Sequence, residues 1–331
     1  MLAARIHAYG PPEVLQVEQI EPPPCGPRDV LIEVHASSVN PVDFKIRAGL
    51  QRGVIRYRLP WTLGLDVSGV VKEVGERVTE FRVGDEVVSS PTHRRAGTYA
   101  EYVAVDAAQV AKKPARLTHG EAASLPLVSL TAWEALARYG RLGVGQRVLI
   151  QAGSGGVGSV AIQLARHLGA SEVITTTSTR NVALCESLGA TRVIDYTQED
   201  YRELSGLDLV LDALGGEHQR AALSILRRGG AVASIVAGIP EATQAYGPNL
   251  GVLVAGLKLL AFSLGARLRG RRSANVMRRS DGETLSRLCQ LAEEGVLRPV
   301  IDREFALADI AAAHRYAETG RARGKVVIAV R

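Results

Sequence analysis

Cysteine is scarce in this chain: Cys25, Cys185 and Cys289 are the only three among 331 residues, each isolated in its own stretch. Such spacing assembles neither a disulfide framework nor a Cys-x-x-Cys zinc site, and a reducing, cytoplasmic setting is expected. The seven histidines are scattered and form no His-x-x-x-His pair. Nothing in the order of Ser, His and Asp suggests a hydrolase. No apolar run reaches the roughly 20 residues of a membrane span. The longest, Leu250 to Ala266, carries Lys258 near its middle and reads as a buried strand and turn at a subunit contact. The first twenty residues contain acids and two prolines but no apolar core, so no secretory or transit signal is expected there. Acid is missing from Arg267 to Arg279, which holds six arginines; the net charge is +6, so the rest of the chain is neutral. With aromatics at 5% of the chain and none around that cluster, nucleic-acid binding is not expected. Contact between the cluster and an anionic membrane surface stays open as a second reading beside a solvated loop.

What is present is ordinary for a globular protein: 46% apolar and 22% charged residues, in a length that suggests two domains at about 150 residues each. Up to about Leu125, short β-branched runs such as Val30 to Val34, Val67 to Val71, Val83 to Val88 and Tyr99 to Val105 are separated by Pro and Gly, as in a β-barrel. After Pro126, helix-length segments alternate with short apolar runs: Thr131 to Tyr139, Val148 to Ala152, Val157 to Leu168, Val173 to Thr177 and onward to Val236. That alternation marks a doubly wound parallel sheet. The tail, with helices over Glu283 to Glu294 and Ala308 to Thr319 and a strand over Val326 to Val330, returns to the first region. The expected division is therefore 1–125 plus 265–331 for an outer domain and 126–264 for an inserted α/β domain.

The strongest local signal is Val148-Leu-Ile-Gln-Ala-Gly153-Ser154-Gly155-Gly156-Val157-Gly158, an apolar strand followed by a glycine turn and a helix. Gly153, Gly155 and Gly158 satisfy G-x-G-x-x-G: one glycine for the tight turn, one for close approach to a pyrophosphate, one for packing helix on strand. Ser154 to Gly158 would then hold the phosphates at the helix start. An NAD site places an acid at the end of the next strand, but this strand ends Thr175-Thr-Thr177-Ser178-Thr-Arg180-Asn. Hydroxyls and an arginine suit a 2′-phosphate instead, so NADPH is the expected cofactor, with Thr177, Ser178, Arg180 and Tyr196 around that phosphate. Ala213 and Leu214, after the strand ending at Asp212, and Val236 lie where open α/β sheets bind the nicotinamide. Asp212 itself reads as a turn residue or a cofactor contact.

These residues and motifs resemble the medium-chain dehydrogenase/reductase superfamily over nearly the whole chain. Gly64-Leu-Asp66-Val-Ser-Gly69 stands where zinc alcohol dehydrogenases carry Gly-His-Glu-x-x-Gly, and Val83-Gly-Asp85-Glu-Val87 and Gly97-Thr-Tyr-Ala-Glu101-Tyr are similar to its barrel strands. Ser38-Val-Asn40-Pro-Val-Asp43, Ala123-Ser-Leu-Pro126, Leu130-Thr131-Ala-Trp133 and Val193-Ile-Asp-Tyr196 resemble the zinc-free quinone oxidoreductase branch. Leu297-Arg-Pro-Val-Ile301 and Ala322-Arg-Gly-Lys325-Val-Val are similar to its reticulon-4-interacting subgroup of mitochondrial NADPH oxidoreductases. The resemblance implies a GroES-like β-barrel outer domain with an inserted Rossmann domain, a homodimer, and hydride transfer from NADPH to a quinone or an enone. Asn40 and Leu65 stand at positions matching a zinc-ligating cysteine and histidine, so no metal site is implied. The resemblance further implies that Asn40 and Thr131 lie by the nicotinamide. Asn40 and Lys45 are the candidate catalytic groups, Lys45 as a charge facing an enolate or quinol oxygen. Asp43 and Arg47, four apart, also read as a helix-surface pair. A non-catalytic, NADPH-binding interaction or regulatory protein of the same fold is the alternative.

Overall fold

The computed structural model describes residues 1–95 and 97–331. In chain order the first part holds strands β1 (Leu2–Ile6), β2 (Leu15–Gln19), β3 (Asp29–Val39), β4 (Trp61–Thr62), β5 (Val67–Val74), β6 (Glu86–Ser89), β7 (Tyr102–Asp106) and β8 (Val110–Lys112), with helices α1 (Pro41–Arg47) and α2 (His119–Ala123). After α3 (Pro126–Trp133) come β9 (Arg147–Ile150), α4 (Gly156–His167), β10 (Glu172–Thr177), α5 (Val182–Ser187), β11 (Arg192–Asp195), β12 (Leu207–Asp212), α6 (Gly216–Ile225), β13 (Leu226–Ser234), α7 (Ile239–Tyr246), α8 (Pro248–Leu268) and β14 (Arg272–Asn275). The chain closes with α9 (Gly282–Glu293), β15 (Ile301–Ala306), α10 (Ile310–Glu318) and β16 (Lys325–Ala329).

Two compact units result, one of Met1–Leu130 with Arg279–Arg331 and one of Thr131–Arg278. In the first, a seven-stranded sheet runs β15-β16-β3-β5-β6-β8 with β7 also on β3, beside a three-stranded sheet β2-β1-β4. The long strand β3 is its spine. Val30, Ile32 and Val34 alternate into a core with Val67, Val71, Val87 and Val105, the period-two pattern of a half-buried strand. Gly69 is required here, because a Cβ on it would sit 2.0 Å from the Glu33 carbonyl oxygen of the paired strand.

The tail is fastened by more than sheet pairing. Arg47 is 2% exposed; its Nε donates to the Gly10 carbonyl, one Nη to His314 Nδ1 at 3.2 Å and the other to Glu318 at 2.6 Å. The expected Asp43–Arg47 surface pair is therefore corrected. Both are buried and face different partners, since Asp43 accepts from the Asn40 amide at 2.8 Å and the Tyr99 hydroxyl at 3.0 Å.

The second unit is a six-stranded, all-parallel sheet in the order β11-β10-β9-β12-β13-β14. Val148-Leu-Ile150 and Leu207 to Leu211 are nearly all buried, as strands covered by helices on both faces must be. Two boundaries differ from the expected ones. α3 carries the first crossing on to Leu130, and the second lies at Arg278 because β14 adds a sixth strand, pairing Ala231 with Arg272. The stretch Leu250 to Ala266 is likewise not a strand and turn but most of the 21-residue helix α8. Its Leu- and Ala-rich composition favours helix, Pro248 occupies the first turn, and Gly247, at φ 76°, separates it from α7.

Burial pushes the His314 imidazole down to about 3, with the Arg47 charge adding to the effect. The unfolded imidazole takes its proton near pH 6.5, so stability from His314 is present above that pH and is lost as pH falls towards 3. Burial pushes the Asp43 carboxyl up to about 7, so its contribution runs the other way, declining as pH rises from about 4 towards 7. Denaturant unfolding at stepped pH is expected to show the destabilisation by His314→Gln growing from pH 4 to 6.5 and that by Asp43→Asn shrinking over the same window. Parallel profiles for wild type and both variants would refute these assignments.

Candidate functional site

The glycine turn lies at the carboxyl end of β9. Ala152 takes the left-handed conformation at φ 55°, while Gly155 is extended at φ −83° and caps α4. The glycines therefore serve close approach rather than backbone handedness. A Cβ on Gly153 would meet Thr175 Oγ1 at 2.0 Å, and one on Gly158 the Ala152 carbonyl oxygen at 2.2 Å. At Gly155 the nearest atom, the same carbonyl oxygen, is 3.3 Å away, which leaves one side of the turn open to a ligand. The first amides of α4, at Gly156, Val157 and Gly158, have no intrahelical acceptor and carry the positive end of the helix dipole. An anionic pyrophosphate fits that end.

Beside the turn, Ser154 Oγ accepts from Thr177 Oγ1 at 2.9 Å and from Asn181 Nδ2 at 3.1 Å, leaving its own proton to donate. Asn181 Nδ2 also reaches Ser178 Oγ at 3.3 Å. Sequence reasoning passed over Asn181, although it ends the same hydroxyl-rich run. Arg180 is exposed in the turn Thr179–Asn181, and Tyr196, 61% exposed, follows β11, whose Asp195 pairs in register with Thr177. Thr177, Ser178, Arg180 and Tyr196 thus gather at two adjacent strand ends. The acid nearby, Asp195, belongs to β11 and not β10; hydrogen bonds led by the Thr179 hydroxyl hold its carboxyl below the usual range. Its oxygens are occupied by Thr197 and Gln198.

Ala213, Leu214 and Val236 follow β12 and β13 at their carboxyl ends, with Leu214 46% exposed. Asp212, the last residue of β12, braces the turn that follows it. Wholly buried, it accepts from the Leu214 and Gly215 amides and the Ser234 hydroxyl. Gln151, just before the turn, is also fully buried, and neither end of its amide has a partner among the described residues.

In the first unit, Asn40 ends β3 and caps α1. Its side chain is not the free donor expected: fully buried, it donates to Asp66 Oδ2 at 2.8 Å and the Ser38 carbonyl at 3.3 Å, while its carbonyl oxygen accepts from Lys325. Asp66 Oδ2 also accepts from Ser38 Oγ at 2.8 Å and lies 3.4 Å from Lys325 Nζ; Oδ1 takes the Leu127 amide at 2.7 Å. Burial lowers the Lys325 pKa, and the Asp66 charge opposes that shift. Asp66 and Lys325 were visible only as parts of the motifs Gly64-Leu-Asp66 and Gly-Lys325-Val-Val, not as partners. Lys45, on α1, is half-buried and its ammonium has no partner among the described residues. Thr131 lies in α3, and no group of three His, Cys, Asp or Glu side chains is placed to hold a metal among the described residues.

Residues 26–115 match the alcohol dehydrogenase GroES-like domain and residues 188–328 match zinc-binding dehydrogenase. The mitochondrial NAD(P)H oxidoreductase RTN4IP1 of Mus musculus is 36% identical over 98% of this chain and 88% of its own length. The chain belongs to the medium-chain dehydrogenase/reductase superfamily, in its quinone oxidoreductase branch. A chloroplastic NADPH-dependent alkenal/one oxidoreductase of Arabidopsis thaliana is 35% identical, covering 97% of this chain and 77% of the relative. The solved quinone oxidoreductase of Coxiella burnetii superposes with a TM-score of 0.88 at 34% identity, covering 100% of this chain and 99% of that one. The barrel and Rossmann arrangement implied by the motifs is that of these relatives.

The Asp66–Lys325 pair is buried on both sides, at 0% and 5% side-chain exposure. Removing one partner of such a pair costs about 3 to 5 kcal/mol. Lys325→Met is expected to lose that much in urea unfolding, and adding Asp66→Asn to regain part of it. A Lys325→Met protein as stable as wild type would contradict the pairing.

Proposed function

We propose that this protein is an NADPH-dependent oxidoreductase that reduces quinones or enones without a metal. The carrying observation is the crevice of the second unit: an open glycine turn at a helix start, followed by a strand that ends in hydroxyls and Arg180 with no acid. NADPH, when bound, supplies the hydride. The amides of Gly156 to Gly158 hold the pyrophosphate, the Ser154 hydroxyl donates beside them, and Thr177, Ser178, Arg180 and Tyr196 surround the 2′-phosphate. An acceptor that gains a hydride at carbon builds negative charge on its oxygen, and the ammonium of Lys45, which has no partner among the described residues, is the group proposed to meet that charge. Asn40 acts indirectly, by fixing Asp66 and the start of α1.

Zinc independence rests on the donor set. Asn40 and Leu65 stand at the ligand-matching positions, and the neighbouring Asp66 is already occupied by Lys325, Ser38 and Leu127. We further propose a homodimer, and a reducing cytoplasm as its setting, the latter supported by the three cysteines, free among the described residues; the arginine cluster 267–279 is read as a solvated stretch, with contact to anionic membranes as the second reading.

NADPH is expected to bind well over tenfold more tightly than NADH in titration calorimetry, and Arg180→Ala to weaken NADPH alone by about 1.5 to 3 kcal/mol. Equal affinities for the two cofactors would overturn the assignment. NADPH binding without turnover of any quinone or enone would favour the regulatory alternative. Elemental analysis is expected to find no stoichiometric zinc, and chelators to leave activity unchanged; one tightly held zinc per chain would contradict this.

A further inference from the structure

Large apolar side chains exposed to solvent concentrate on one helix. Along α8, Leu250, Leu253, Leu257, Leu260 and Leu264 recur at spacings of three and four, each 51% to 58% exposed, and Leu268 at the end is 89% exposed. An apolar stripe of this kind marks an interaction surface rather than ordinary solvent exposure. Its surroundings are one-signed: from residue 242 to 280 the chain has no acid but carries Lys258 and six arginines.

Behind this helix lies a cleft of about 670 Å³. One end is formed by Leu214, Gly215, Val236 and Gly238, at the carboxyl ends of β12 and β13, where open α/β sheets bind the nicotinamide. From there its wall turns apolar and small, with Ala242 and Ala245 on α7 facing Ala255, Leu259 and Phe262 on α8. α7 and α8 are held close by Gly251, where a Cβ would meet the Ala242 carbonyl oxygen at 2.6 Å. Arg220, Glu241 and Lys258 are the charged groups of the lining. The volume is that of a small-ligand site; Gln219, Arg220, Glu241, Tyr246 and Lys258 supply its polar groups, and an apolar wall runs between them along Ala242, Ala245, Ala255, Leu259, Ala261 and Phe262. That wall suits a hydrocarbon chain.

We infer that this cleft holds the alkyl or prenyl chain of a membrane-soluble quinone whose ring is reduced at the strand ends, with the leucine stripe of α8 as the lip through which such an acceptor leaves the bilayer. The inference rests on the proposed reductase activity and names its substrate class. A chain of this sort is worth binding because each buried methylene adds apolar transfer energy, and two already give about a tenfold preference.

The test compares the full-length protein at saturating NADPH with two acceptors, benzoquinone without a chain and a benzoquinone bearing a decyl chain. Wild type is expected to favour the decyl quinone at least tenfold in kcat/KM. Ala245→Trp and Ala261→Trp, which fill the cleft from its two exposed walls, are expected to reduce that preference to within about twofold while NADPH affinity, the check on folding, stays the same. Turnover of both quinones with no chain preference, or a preference unchanged in both variants, overturns the tail site and leaves the reductase reading intact. Absence of turnover with either quinone overturns the reductase reading and the tail site with it. A change of oligomeric state in sedimentation velocity, with the chain preference unaltered, assigns the face to a second copy of the chain and also overturns the proposal.

Discussion

A single buried ion pair ties the first unit together. Lys325 on the last strand, Asp66 entering β5 and Asn40 at the end of β3 satisfy one another away from water, and Ser38 and the Leu127 amide complete the set. A lone buried charge would be expensive, so each member is tolerable only because the others are in place. The chain returns from Arg279 to reach this cluster. With Arg47, His314 and Glu318 forming a second polar lock, the discontinuous unit closes around contacts between residues more than 250 positions apart.

The proposed metal independence rests on the same part of the structure. Where the resemblance matches zinc ligands, this sequence has the Asn40 amide and Leu65, and the Asp66 carboxylate next to them is already held by Lys325, Ser38 and the Leu127 amide. Polarising a carbonyl through a metal would require donors that are otherwise engaged here. What the fold keeps is the dinucleotide crevice, with Gly153 and Gly158 pressed against neighbouring backbone and side chain and Gly155 left open on one side.

Much of this was legible in the sequence because its periods and motifs are local. The glycine turn and the hydroxyl-rich end of β10 are each written in fewer than fifteen consecutive residues, and so is each separate segment of the βα alternation. The errors came from interactions that sequence spacing does not carry. Asp43 and Arg47 look like an i,i+4 surface pair, yet each turns to distant partners and is buried. Asn40 has the composition of a free polar donor but is consumed by Asp66 and Lys325, the latter 285 residues away. In α8 an apolar run with a single charge, Lys258, reads as a strand and turn, and only the leucine spacing and Pro248 mark it as a helix. The end of the second unit lies beyond the expected one because β14 is only four residues long, sits inside an arginine-rich stretch and has little apolar signal of its own.

The central claim is that a hydride passes directly from the cofactor to an electron-poor carbon, with no metal held at the positions of Asn40 and Leu65. The most direct measurement uses chelator-treated protein, an enone, and NADPH deuterated at the transferring position of the nicotinamide, with the product examined by NMR. The account predicts deuterium at the β-carbon and a solvent proton at the α-carbon. Product without deuterium at the β-carbon, or turnover that returns only when zinc is added, would contradict it.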